Sequence, residues 1–414
     1  MRRLIAVALL LASACASPGM PPGGPVDIAA PVLVAITPDS GSVNVKPKEL
    51  LFRFDEVISE RPGSATNLGD LFLISPRDGA PDASWHREAI GVKPAHGWRA
   101  NTPYTVIMMR GIADLRGNIR NTGASTFFST GPTIPLTRIA GNVFDWVSGS
   151  PAAGALVESL VPPDTLHPYV ALADSNGAFV IEHVPPGAYR VRAYLDRNKN
   201  LGVDPSEPWD SVSVSLTDSI HTNLVIFTHD TVAPRIRDVM VVDSLTLRVA
   251  FDKPVDPTQT LTVANFAVIA PDSSPVPIVS AGAAPKDTAG GPSPAGGVNP
   301  VAGAPPTGAA NVAAAANRAA GVSPTGRAPV PRDTLAVPRA EMPRPVPISE
   351  AVIKLQHPLT PKLAYRVRAI GIRGLLGKTG DSERSYTPPA PAPPLAPAPK
   401  PGPVTPTTAP PVKK

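Results

Sequence analysis

The sequence predicts an all-β protein of tandem β-sandwiches, interrupted by long Pro/Ala-rich disordered segments. Three observations carry that prediction. Apolar residues alternate at the strand period, as in Leu50, Phe52, Phe54 and again in Tyr104, Val106, Met108, instead of recurring at helical spacing. Turn motifs separate such runs: Pro38-Asp39-Ser40-Gly41, Arg77-Asp78-Gly79 and Leu115-Arg116-Gly117-Asn118. Composition supplies the third: 55 prolines in 414 residues, with 5% aromatics, leave too little core-forming material for the whole length to fold. A chain this long also exceeds what one core usually holds, so several domains are expected.

At the N-terminus, Arg2 and Arg3 precede an uncharged stretch over residues 4–14. It suits a signal peptide and falls well short of the roughly 20 apolar residues that span a bilayer. The stretch ends Leu11-Ala12-Ser13-Ala14-Cys15, which resembles the lipobox of bacterial lipoproteins, with Ala12 where that family usually has leucine. The resemblance implies that residues 1–15 carry the signal and that Cys15, the only cysteine, is acylated and becomes the mature N-terminus. Ordinary cleavage after Ala14, leaving a free thiol, is the alternative. Ala16 in place of an aspartate implies the outer membrane, on its periplasmic or surface face. Residues 16–26, rich in Pro and Gly, read as a flexible tether.

Residues 27–131 carry the first set of alternating strands, and residues 230–388 repeat it. Asp27-Ile28-Ala29-Ala30-Pro31 matches Asp230-Thr231-Val232-Ala233-Pro234, and Leu50-x-Phe52-x-Phe54-Asp55 matches Leu247-x-Val249-x-Phe251-Asp252. Tyr104, Gly111-Ile112 and Gly117 match Tyr365, Gly371-Ile372 and Gly377. Between Phe54 and Tyr104 lie 50 positions, and between Phe251 and Tyr365 lie 114. The surplus corresponds to an Ala-, Pro- and Gly-rich stretch at about 281–346, expected as a disordered loop between two strands of one sandwich. Closing so long a loop costs little more than closing a short one, since the entropy grows with the logarithm of length. The Ala-Pro opening, the Phe-Asp strand end, Gly-Ile-Ala-Asp-Leu-Arg-Gly-Asn and Phe128-Ser129-Thr130-Gly131 resemble the bacterial Ig-like domains named after an S-layer protein. The resemblance implies two-sheet sandwiches that serve envelope proteins as spacer or adhesion modules and bring no catalytic set.

The middle module, 136–229, has different landmarks. Gly154-Ala155-Leu156-Val157, Asp174-Ser175-Asn176-Gly177-Ala178-Phe179 and Val184-Pro185-Pro186-Gly187-Ala188-Tyr189 resemble the carboxypeptidase regulatory-like, or prealbumin-like, sandwich. Asp174 to Gly177 reads as a hairpin turn, and Pro186-Gly187 as another. Residues 389–414 favour polyproline II and read as a disordered tail.

One constellation carries metal chemistry. Asp196, Asn198, Asn200, Asp204 and Glu207 stand at positions 1, 3, 5, 9 and 12 of a calcium loop, with Val203 apolar at position 8. Leu201 occupies position 6, where a sharp turn usually needs glycine, so a polar turn shaping the strand exit is the alternative reading. The seven histidines show no zinc or copper spacing. Met108 and Met109 read as packing residues, and Arg366 and Arg368 as one strand face that is either solvated or met by an acidic partner. No nucleophile elbow, phosphate loop, dinucleotide fingerprint or His-Glu-x-x-His motif occurs. The net charge of +5 is too small for nucleic acid without strong clustering. The expected function is that of a non-catalytic, lipid-anchored cell-envelope spacer, adhesion or assembly module, meeting the membrane through its lipid and an envelope protein or glycan elsewhere. A glycan-binding middle sandwich using Trp146 and Trp209 is the alternative.

Overall fold

In a computed structural model the described residues are 26–63, 65–285 and 342–389. The leader with Cys15, the tether to residue 25, residues 286–341 of the expected insert and the tail from residue 390 lie outside them. Among the described residues the secondary structure is strands with two short 3-10 turns, and no helix is long and apolar enough to cross a membrane. The chain divides into two compact units: of the described residues, those up to His229 and residues 342–344 fall in the first, and residues 230–285 and 345–389 in the second.

The first unit begins with a two-sheet sandwich. Strands β1 (Leu33–Thr37), β2 (Leu50–Phe54), β4 (Asp82–Trp85) and β5 (Ala89–Lys93) form one sheet in the order β1-β2-β5-β4, and β3 (Phe72–Ser75), β6 (Pro103–Met108) and β7 (Ala124–Ser129) form the other in the order β3-β6-β7. Period-2 patterning explains the core. Leu50, Phe52 and Phe54 are buried from one sheet and Tyr104, Val106 and Met108 from the other, while Arg53 between them faces out. Phe52 lies 5.1 Å from Phe72, and Trp98 meets Tyr104 and Phe128 edge-on at 4.8 and 5.0 Å.

The second half of this unit contains β8 (Arg138–Asp145), β9 (Ser150–Pro151), β10 (Leu156–Val161), β11 (Asp164–Leu172), β12 (Ala178–Glu182), β13 (Gly187–Tyr194), β14 (Pro208–Leu216), β15 (Ser219–His221) and β16 (Leu224–Thr228). Its two layers are not separate sheets: one path runs β11-β10-β13-β14-β16-β8-β12, with β9 and β15 also on β8. The layers join where β14 pairs with β16 through Pro208–Thr228 and Trp209–Phe227 alone. Ile139, Val157, Phe179, Val191 and Ile226 fill the space between them. Gly177 needs its positive φ of 73° in the hairpin that Asp174 caps, its carboxylate accepting the Asn176 and Ala178 amides at 2.8 and 2.9 Å.

The second unit contains β17 (Ile236–Asp243), β18 (Thr246–Val255), β19 (Phe266–Ile269), β20 (Pro275–Val276), β21 (Ile278–Ala283), β22 (Ile348–Leu355), β23 (Tyr365–Arg373) and β24 (Thr379–Tyr386), in two sheets ordered β17-β18-β22-β21 and β20-β19-β23-β24. With β20 set aside, each strand has a counterpart in the first sandwich. Shared hydrogen bonds mark the repeat. The Arg99 amide donates to the Tyr104 hydroxyl at 2.8 Å and the Thr360 amide to the Tyr365 hydroxyl at 3.0 Å, each across five residues. The long insertion falls in the hairpin that corresponds to β4–β5. The boundary expected at 281 needs correction: residues 281–283 are strand, Ala283 pairing with Ala351, because ladder hydrogen bonds to β22 order a segment whose Ala/Gly composition gives no such signal.

Candidate functional site

Loop 196–207 leaves β13 and returns to β14. Asp196 accepts the amides of Asn200 and Leu201 on its two oxygens at 3.1 and 2.9 Å, Asn198 Oδ1 accepts the Asn200 amide at 3.1 Å, and Asn200 Oδ1 accepts the Gly202 amide at 2.8 Å. The side-chain amides of Asn198 and Asn200 both donate to Asp204 Oδ2. Glu207, 3% exposed, accepts the Arg197 amide at 2.8 Å and the Asp204 amide at 3.3 Å. The five predicted residues therefore sit in one loop, each within its hydrogen-bond network. The acids of this loop do not converge as a metal cluster. For calcium, Asn198 and Asn200 would need to turn their amides so that oxygen faces inward, and Glu207 would need to release backbone donors.

Leu201 shows why leucine stands where such loops favour glycine. Its φ is +59°, the left-handed conformation that position demands, at a cost of about 1–2 kcal/mol for a side chain with a Cβ. Packing opposes that cost: Leu201 and Val203 lie against a buried cluster of Leu73, Leu156, Val170 and Tyr194.

A second constellation was missed in the sequence. Among the described residues, the one set of three metal-capable side chains whose ligand atoms lie within 4.8 Å of one another is Asp27, Glu56 and Asp114. Asp114 is 2% exposed; its Oδ1 accepts the Arg116 and Asn118 amides, each at 2.8 Å, and its Oδ2 accepts the Asn118 side-chain amide at 2.7 Å. Burial opposes ionisation of Asp114, but the bonds from Asn118, Arg116 and Gly117 outweigh it and hold the pKa below the ordinary value. Glu56 goes the other way, raised by burial and then by the charges of Asp114, Asp27 and Asp55. Each of the three lies beside a repeat landmark: the Asp-x-x-x-Pro opening, the Phe-Asp strand end and Gly-Ile-Ala-Asp. The available signal was the mismatch at the repeat, where Lys253 and Gly374 stand for Glu56 and Asp114. There Lys253 Nζ lies 2.6 Å from Asp230, and that hydrogen bond, with the Val232 amide, depresses the Asp230 pKa.

Other singled-out residues are engaged in packing or pairing. Met108 is fully buried. Arg366 and Arg368 both face Glu383 on β24, at 3.8 and 3.5 Å. Trp146 is 8% exposed and meets Phe227 edge-on at 5.1 Å, and Trp209 stacks on His229 at 3.9 Å. Trp85, not among the residues singled out above, is 37% exposed and donates its indole N–H to the Ile58 carbonyl at 3.0 Å. Cys15 lies outside the described residues.

Residues 27–130 match the family described as a bacterial Ig-like domain. No curated protein matches the chain. Among solved structures, the N-terminal part of the bacterial S-layer protein SbsC is 19% identical, with 39% of this chain and 25% of that chain covered, at a TM-score of 0.20. BcpA, the major pilin subunit of Bacillus cereus, is 9% identical over 46% of this chain and 67% of its own, at 0.18. Domains 1–6 of SbsC are 9% identical over 86% and 54%, also at 0.18. The chain spans a quarter of the first of these, and overlaps of such low score carry no argument about function.

Proposed function

We propose that this chain is a non-catalytic lipoprotein of the cell envelope, anchored through acylated Cys15, in which the Ig-like module at 27–131, a carboxypeptidase regulatory-like sandwich at 136–229 and a second Ig-like module at 230–388 hold a binding surface away from an outer-membrane leaflet. The observation that carries the reading is the bacterial Ig-like match over 27–130, set in a chain that opens with a charged leader ending at its only cysteine. Several acyl chains on one residue are enough to hold a folded protein at a bilayer, at about 0.8 kcal/mol per buried methylene. Metabolic labelling with a clickable fatty acid tests the anchor. The wild type should be labelled and Cys15→Ser should not; equal labelling, or release of the wild type as a soluble protein, ends the reading.

Calcium is proposed for loop 196–207, supported by the spacing of Asp196, Asn198, Asn200, Asp204 and Glu207 and by their gathering in one loop. An ion that binds only the folded chain stabilises it by about 2.7 kcal/mol at a hundredfold excess over Kd. Calcium should therefore raise the melting temperature of the first unit and magnesium should do so much less, with Asp196→Ala abolishing the difference. Identical melting in millimolar calcium and in chelator would show the loop to be a polar turn.

A further inference from the structure

The first two sandwiches meet along strands that each stand at the edge of a sheet. β3 ends one sheet of the first sandwich, and β11 ends the long hydrogen-bonded path of the second. Exposed edges invite pairing with foreign strands, and here each covers the other. The Arg77 amide donates to the Pro168 carbonyl at 2.8 Å, and the Val170 amide to the Ser75 hydroxyl at 2.9 Å. Beside this seam Leu73 of the first sandwich is buried with Leu156, Val170 and Tyr194 of the second.

A charge is sealed into the same seam. The side chain of Glu158 on β10 is 0% exposed, and a carboxylate so placed must be paired. Two partners come from its own sandwich: Arg192 at 2.6 Å, and the Tyr194 hydroxyl, which donates at 2.8 Å. The third crosses the joint. Arg77, following β3, places Nη2 2.6 Å from Glu158 Oε1 and donates from Nη1 to the Tyr194 hydroxyl at 3.2 Å. A second contact lies away from this seam, where Phe127 of β7 stacks on His183 at 4.2 Å. Arg99 and Asp164, 3.5 Å apart, and His167 and Asp78, 3.9 Å apart, also cross the joint beside β11, and contacts at separated places oppose the rotation that one contact would allow.

We propose that residues 27–229 work as one rigid double module and that Arg77 is its latch, holding the first sandwich to the second through the buried carboxylate of Glu158. Opening the joint would expose the Leu73 surface and leave Glu158 with fewer donors, so the closed form is the ground state. A pull or a ligand at one sandwich is then passed to the other without a hinge. Loop 196–207 joins this device because Leu201 and Val203 pack on the same cluster as Leu73. The latch stands whether or not Cys15 is acylated.

The test measures one distance across the joint. Spin labels are placed at the exposed positions Lys48 and Thr217 by Lys48→Cys and Thr217→Cys, in the full chain carrying Cys15→Ser, and pulsed dipolar spectroscopy reads the distance distribution. The latched chain gives one narrow peak. Arg77→Ala should broaden it while tryptophan fluorescence and the melting profile still report folded sandwiches. Arg192→Ala removes a partner from within the second sandwich and should leave the peak narrow. If Arg77→Ala does not fold, Arg77→Lys is read instead; it keeps the charge, loses the two-nitrogen fork and should broaden the peak in part. A broad peak in the starting chain, an unchanged peak in the folded Arg77 variant, or equal broadening by Arg192→Ala overturns the proposal.

Discussion

The first and last sandwiches share a frame and differ in the charge it carries. In both, an aspartate after the second strand accepts the amide of the residue following Pro31 or Pro234: Val32 to Asp55 at 2.8 Å and Arg235 to Asp252 at 2.7 Å. In both, the glycine of the late turn has a positive φ, 88° at Gly117 and 81° at Gly377. On that frame the first sandwich places three carboxylates, Asp27, Glu56 and Asp114, and the last places one ion pair, Asp230 with Lys253. Gly374 completes the contrast, since a Cβ there would come within 3.2 Å of Pro234 Cδ. Strand ladders and the amides held by Asp55 and Asp252 preserve the shape in both copies, and the other side chains standing on it are free to reverse the local field.

The largest break in this comparison is expected at Asp114. Asp114→Ala leaves the amides of Arg116 and Asn118 without their acceptor in a turn that is itself half-exposed, a loss of about 1–2 kcal/mol. Urea unfolding followed by tryptophan fluorescence should show it as a lower midpoint. That signal reports the first unit alone, because Trp85, Trp98, Trp146 and Trp209 all precede residue 229.

A smaller effect is expected at Lys253. Lys253→Glu removes the ion pair and sets two acids together, and at partly exposed positions this costs about 1 kcal/mol. Calorimetry should place the loss in the unit beginning at Asp230, with the wild-type advantage reduced by added salt. An unchanged transition would mean that the pair contributes nothing to the fold.

The smallest effect gives the first sandwich the charge of the last. Glu56→Lys should stabilise it at neutral pH by up to about 1 kcal/mol. The sign follows from the raised pKa: the folded chain holds the Glu56 proton more tightly than the unfolded chain, so this group favours folding in acid and loses that contribution as pH rises through its folded pKa. Asp114, with a lowered pKa, contributes at neutral pH and loses its contribution as pH falls through the folded value. The gain from Glu56→Lys should therefore shrink toward acid. A gain independent of pH would assign it to packing instead of charge.

The strands were legible because each sandwich buries one face of every central strand, which writes period 2 into Leu50-Phe52-Phe54 and Leu247-Val249-Phe251. The polar loop 196–207 was legible because its residues fall within one twelve-residue stretch of the chain. The acidic trio was not, since Asp27, Glu56 and Asp114 are far apart in the chain and each looks like an ordinary turn residue. The end of β21 was also hidden, because Ala281 to Ala283 are ordered by the partner strand and not by their own propensity.

The amino-acid sequence by itself determined the β class, the repeat and the place where the repeat is interrupted. Those features rest on local patterning and order along the chain. Only the tertiary structure decided that Arg77 meets Glu158, that the middle layers close into one continuous path through Trp209 and Phe227, and that Leu201 keeps a left-handed backbone because its side chain has an apolar cluster to cover. The reason is physical: burial of a charge and closure of a sheet edge depend on surfaces brought together from distant parts of the chain, and no single segment carries that information.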